Sequence, residues 1–281
     1  MTQRLMLSVI DMAIFKKAAL VFFMSVSLLL STARCYAAQW IEAVYDDGVT
    51  SRVRGNIDKT IDVVADLLTK YNLVLSEKIT VAVSADEESY AQALMFYLKY
   101  SRQYAKEQAQ YTAGTSSNKE PLIIIKGSAD MDESFRVLPH EIFHQVQRQY
   151  GRLGTVPWLT EGAPEVFQFI ARETAGLEKA SLNVSAARER VRMAREIPDA
   201  HDLACPGYKQ WESLMRKYPV YDMAVLMTYQ LMQDNGFESI IFFYQLLHNG
   251  IPANSAFQAA FRVPMSYFLD EMNEMFCKLR M

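Results

Sequence analysis

"LPHEIFHQVQ", Leu138–Gln147, decides how the chain is read: two of its four histidines stand here, four residues apart, with a glutamate between them. On a helix, residues four apart lie on one face. His140 and His144 would then bring their imidazoles close enough to share one tetrahedral Zn²⁺. Glu141 sits one residue on, displaced around the helix, where it can face a water on the metal rather than the metal itself. That gives two ligands and a general base that takes a proton as water attacks a carbonyl. Pro139 lacks a backbone donor and suits a first turn, so the helix is expected to start only just before His140.

A zinc site needs a third ligand, and "PWLTEGAPEVFQF", Pro157–Phe169, offers one. Glu161 and Glu165 are again four apart and share a helix face. Glu161 can be the third ligand, leaving a fourth position for water. Glu165 can accept the second N–H of a ligand histidine, foremost His140, and so fix its tautomer. Carboxylates at this spacing usually face solvent, but these two are set among Trp158, Leu159, Val166, Phe167, Phe169 and Ile170. Burying two like charges without a cation would be costly, and a dication removes that cost. Thr160 is expected to cap this helix, with Pro164 in its first turn.

Around these two segments the chain reads as α+β. Ile57, Ile61, Val64, Leu67 and Leu68 recur at helical spacing within Trp40–Tyr71, predicting helix for the latter part. "KITVAVS", Lys78–Ser84, alternates and reads as a strand, and one helix should follow from about Asp86. "QYTAGTSSNKE" is turn-rich, an exposed loop or hairpin connection. "PLIIIKG", Pro121–Gly127, is the clearest strand. Beyond it the pattern is almost wholly helical, with loops near residues 151–157 and 197–207. No repeat or flexible linker interrupts it, which implies one domain over residues 39–281: an α/β part to about 130, then a helical part.

Composition agrees with a globular chain: 281 residues, 51% apolar, 22% charged, net charge −3. That balance gives no reason to expect nucleic acid as a partner. Lys16 and Lys17 precede an apolar run, Ala18–Ala33, and small residues follow near Ala37 and Ala38. This is the pattern of an export signal over residues 1–38, with the run short for a membrane span. Membrane contact is expected only through this segment, if it is not cleaved. Its removal takes away four basic residues and one acidic residue, leaving a net charge of −6. Cys205 and Cys277 then remain and, in an oxidising compartment, can form one disulfide.

"HEIFHQVQ" followed by "PWLTEGAPEVF" resembles the gluzincin zinc metallopeptidases of the peptidase MA-like group, over roughly residue 79 to the C-terminus. The resemblance implies a zincin-like fold, a small mixed sheet packed on an active-site helix. It implies zinc on His140, His144 and Glu161, Glu141 as catalytic base, and Glu165 behind a ligand. It also implies an edge strand over the zinc that pairs with an extended peptide or protein substrate, a part for which "PLIIIKG" is the candidate. Related aminopeptidases carry an oxyanion-stabilising tyrosine on a later helix. In "YPVYDMAVLMTYQL" Tyr221 matches that pattern; Tyr218, His201 and His248 are the alternatives, and core packing is a competing explanation for the tyrosines. The motif that recognises a substrate N-terminus in those enzymes is absent upstream of His140, so an endopeptidase is expected rather than an aminopeptidase. The competing expectation is a zinc-binding protein of the same fold without turnover.

Overall fold

The two β-branched runs become neighbouring strands. In a computed structural model, which describes residues 40–150, 155–204 and 208–281, β2 (Ile79–Ser84) and β4 (Leu122–Lys126) run parallel with Val81 opposite Ile123. β1 (Ile41–Tyr45) lies parallel on the far side of β2. β3 (Gly114–Ser116) runs antiparallel to β4 at the other edge, giving the order β1-β2-β4-β3.

Side chains alternate across a strand, so each run must bury both its faces. Ile79, Val81, Val83, Ile123 and Ile125 face one layer, formed by α1 (Ser51–Lys70) and α4 (Met131–Tyr150). Ala82, Leu122 and Ile124 face the other, where Tyr90, Ala91 and Leu94 of α2 (Glu87–Leu98) meet Ala105 and Ala109 of α3 (Arg102–Tyr111).

The single helix expected from Asp86 is in fact this pair. Asp86 caps α2 in a reciprocal box with Ser89, but Lys99 turns left-handed (φ 58°) and Ser101 caps a second helix. The left-handed residue costs about 1–2 kcal/mol. Folding α3 back over α2 and the sheet buries the second apolar cluster in return. The strand β1 was not foreseen either, since five residues ahead of a strong helical pattern give too little alternation to read.

The helical half follows: α5 (Pro157–Thr174), α6 (Ala180–Met193), a 3₁₀ turn (Ala200–Leu203), α7 (Tyr208–Lys217), α8 (Val220–Asn235), α9 (Phe237–His248), α10 (Ala253–Phe261) and α11 (Met265–Arg280). α4 is shared by both halves. It packs on α1 and β4 on one side and on α5 and α9 on the other, so one apolar cluster runs from Ile57 and Val81 through Phe143 and Phe167 to Phe268. Phe143 lies 5.0 Å from Phe167 and 5.6 Å from Phe237, ring centre to ring centre, and Trp158 stacks 5.8 Å from Phe268. The very apolar "IIFFYQLL" is the core-facing part of α9, burying Ile240, Ile241, Phe243, Tyr244 and Leu247. Among the described residues no helix is long and apolar enough to cross a membrane. The segment expected to be an export signal lies outside them, as does Cys205; Cys277 is an exposed free thiol.

Candidate metal centre

α4 begins at Met131, more than two turns before the point expected from Pro139, and carries that proline inside it. The proline denies the Phe135 carbonyl its usual partner and costs about 3 kcal/mol. Packing outweighs it. Phe135, Leu138, Ile142 and Phe143 are all completely buried, and each such side chain contributes about 1.5–3 kcal/mol. His140 therefore stands in mid-helix rather than at a fraying end.

α5 also starts earlier than expected, with Pro157 in its first turn after Val156. Thr160 is not its cap: its hydroxyl donates back to the Val156 carbonyl at 3.1 Å, and Pro164 lies two turns in. The close approach of α5 to α8 requires Gly162, where a Cβ would meet the Thr228 Oγ1 at 2.2 Å and the Ala224 carbonyl at 2.5 Å. This crossing sets Glu161 opposite α4 and brings the first turn of α8, with Tyr221, alongside.

The two histidine Nε2 atoms are 3.0 Å apart, and His144 Nε2 is 3.7 Å from a Glu161 oxygen. One donor atom from each of His140, His144 and Glu161 falls within 4.8 Å of the others. Two nitrogens held at about 2.0–2.1 Å by a tetrahedral ion lie about 3.3 Å apart, so the spacing needs only a small adjustment to accept one. The donor set, two imidazoles and a carboxylate, suits zinc, although other divalent ions accept the same donors. Glu165 reaches His140 Nδ1 at 3.2 Å and accepts from Gln168 Nε2 at 2.6 Å.

Electrostatics follow from packing three carboxylates around two imidazoles. Burial opposes charge on His140, but the hydrogen bond and charge of Glu165, with Glu141 and Glu161 nearby, push it up to about 9. Burial raises the Glu141 carboxyl above the ordinary glutamate range, with the histidines pulling the other way. Burial acts on Glu165 too, yet its bond to His140 holds it below that range.

These groups open onto a cleft of about 610 Å³ whose walls include Gly114–Ser116, Asn118, Trp211 and Tyr221. The Tyr221 phenol hydrogen-bonds to Glu161, and desolvation with that negative charge raises it well above an ordinary phenol. Tyr218, His201 and His248 do not line the cleft; His201 pairs with Asp270 at 2.9 Å. The strand beside the site is β3, not "PLIIIKG", which is internal between β2 and β3. The reason is the hairpin: Gly114–Ser116, read as part of a turn-rich stretch, pairs with Ile123–Ile125 and takes the edge. Gly114 lets it approach, because a Cβ there would lie 2.5 Å from Val137 Cγ1 and 3.0 Å from Glu141 Cγ.

Two glutamines of "HQVQ" were not singled out from sequence and prove central. Gln145, completely buried, ties the hairpin to α4 by donating to Ser116 Oγ at 2.6 Å and to the Ser117 and Leu122 carbonyls at 2.9 and 3.2 Å. Gln147, also completely buried, meets His144 Nδ1 at 2.8 Å. The signal available was local: two amides flanking a valine next to the apolar face of an amphipathic helix must find partners if buried. Comparison of the chain with family models, with curated proteins and with solved structures gives no match.

Proposed function

We propose that the chain is a zinc-dependent endopeptidase of gluzincin type with a zincin-like fold, exported by its N-terminal segment. The observation that carries this reading is the juxtaposition of His140, His144 and Glu161 with a glutamate, Glu141, that belongs to the same helix turn but not to the donor set. His140, His144 and Glu161 would hold the ion. When bound, it supplies Lewis-acid polarisation of water and of the scissile carbonyl. Glu141 takes the proton of the attacking water and delivers it to the leaving amine, a task suited to a carboxylate whose proton affinity burial has raised. Tyr221 stays protonated and can donate to the oxygen that becomes negative as water adds.

The edge of the sheet supports a peptide as substrate. In the hairpin, Lys126 N–H donates to Ala113 and Ser117 N–H to Leu122, both inward. The alternating antiparallel pattern turns the N–H and C=O groups of Gly114 and Ser116 outward, where an extended chain can add as a further strand.

The test is Glu141→Gln. The protein and the variant are loaded with zinc and incubated with a peptide library read by mass spectrometry. Cleavage by the parent, with zinc retained but cleavage reduced by at least about 10³-fold in the variant, is the expected result. A zinc-loaded parent that cleaves nothing would leave a binding protein of the same architecture.

A further inference from the structure

Gln147 lies three residues beyond His144 on α4, and the chemistry of its partners dictates which way its amide points. The Thr160 backbone carbonyl, 2.9 Å from Nε2, can only accept. The Tyr244 hydroxyl, 2.8 Å from Nε2, commits its proton to the Leu159 carbonyl at 3.0 Å, so its oxygen accepts as well. Both amide hydrogens are thereby placed on this side, and Oε1 must face His144, 2.8 Å from Nδ1. An amide oxygen only accepts. Nδ1 therefore carries the imidazole hydrogen, and Nε2 keeps its lone pair, directed at His140 Nε2 and Glu161.

The acceptor that starts this chain is written in the sequence. In a regular helix the carbonyl of Thr160 would take the N–H of residue 164. Residue 164 is proline and has none. The proline that removes a hydrogen bond from α5 leaves that carbonyl to Gln147.

We infer that Gln147, held by Tyr244 and by the Thr160 carbonyl that Pro164 leaves free, is a positioning residue that locks His144 in the metal-binding tautomer; this rests on the metal reading above. It is the neutral counterpart of Glu165 at His140. A second carboxylate at this place would add a charge to a site that already gathers Glu141, Glu161 and Glu165, whereas an amide orients the imidazole without one. It also ties the ligand on α4 to two further helices, α5 through Thr160 and Leu159 and α9 through Tyr244.

The experiment uses the full chain in two states. In the metal-free protein at alkaline pH, long-range ¹H–¹⁵N spectra of the imidazoles report which nitrogen of His144 carries hydrogen. In parallel, zinc affinity is measured by competition with a chromophoric chelator for the parent and for Gln147→Leu. The expected result is the Nδ1–H form in the parent, its loss in the variant, and zinc binding weakened about 10- to 100-fold. A parent holding the Nε2–H form overturns the inference, as does a variant that binds zinc as tightly as the parent. If Gln147→Leu does not fold, Tyr244→Phe carries the test, since it removes one hydroxyl from the far end. A several-fold weaker affinity with a mixed tautomer supports the inference, and no change in either overturns it. A parent that binds no zinc at all overturns the metal reading itself, a failure separate from the other two.

Discussion

At position 114 only a hydrogen fits between the edge strand and the helix that bears the histidines. Gly114→Ala would set a methyl 2.5 Å from Val137 and 3.0 Å from Glu141 Cγ, so β3 or the Glu141 side chain must move. The expected outcome is a loss of stability of about 1–3 kcal/mol, as in other overpacked sites, with a fall in peptide cleavage larger than that in zinc affinity. Chemical denaturation and rate assays on the same sample check it; unchanged cleavage would mean that β3 does not govern substrate approach. The site's charged members were legible from sequence because helix periodicity alone puts His140 with His144 and Glu161 with Glu165. Gln147 was not, because its partners lie 13 and 97 residues away, and no spacing rule reports contacts between helices that distant.

Among elements, the packing of α5 between α8 and α4 carries the site, and one contact on each side fixes it. Gly162 allows α5 to touch α8, and Gly162→Ala should lower the melting temperature by several degrees, since its methyl would collide with the Thr228 hydroxyl and the Ala224 backbone. At the other end Asp132, in the first turn of α4, binds Arg172 of α5 at 2.8 Å and Arg136 at 2.9 Å. Burial alone would lift the Asp132 carboxyl, but the hydrogen bonds from Arg172 and Arg136 outweigh it and hold it below the ordinary range. A depressed acid contributes stability at pH values above its unfolded pKa of about 3.9. That contribution is lost as the pH falls through the lower folded value. Thermal unfolding followed from pH 6 to pH 3 should therefore show a smaller acid-induced drop in Asp132→Asn than in the parent; parallel curves would mean that this pair does not stabilise the fold. Element boundaries were the least legible feature. Local rules for Pro139, Thr160 and a long Asp86 helix were each overridden by burial of side chains that meet only in the folded chain, whereas the strands at Ile79–Ser84 and Leu122–Lys126 were plain because both their faces are apolar.

For the whole molecule, the α+β order read along the chain, a small sheet with its helices and then helices alone, is the order the fold follows, and the continuous core fits the lack of a linker between the two parts. What the sequence could not convey is that α4, the helix of His140 and His144, forms the seam between them. The proposed function stands on one divalent ion held at this seam by His140, His144 and Glu161. The most direct test is zinc content by mass spectrometry of the purified protein beside His144→Ala, with circular dichroism confirming that both are folded. Close to one zinc per chain is expected in the parent, and a near-complete loss in the variant. A folded parent without zinc, or a variant that retains it, would rule out an ion held by these three residues.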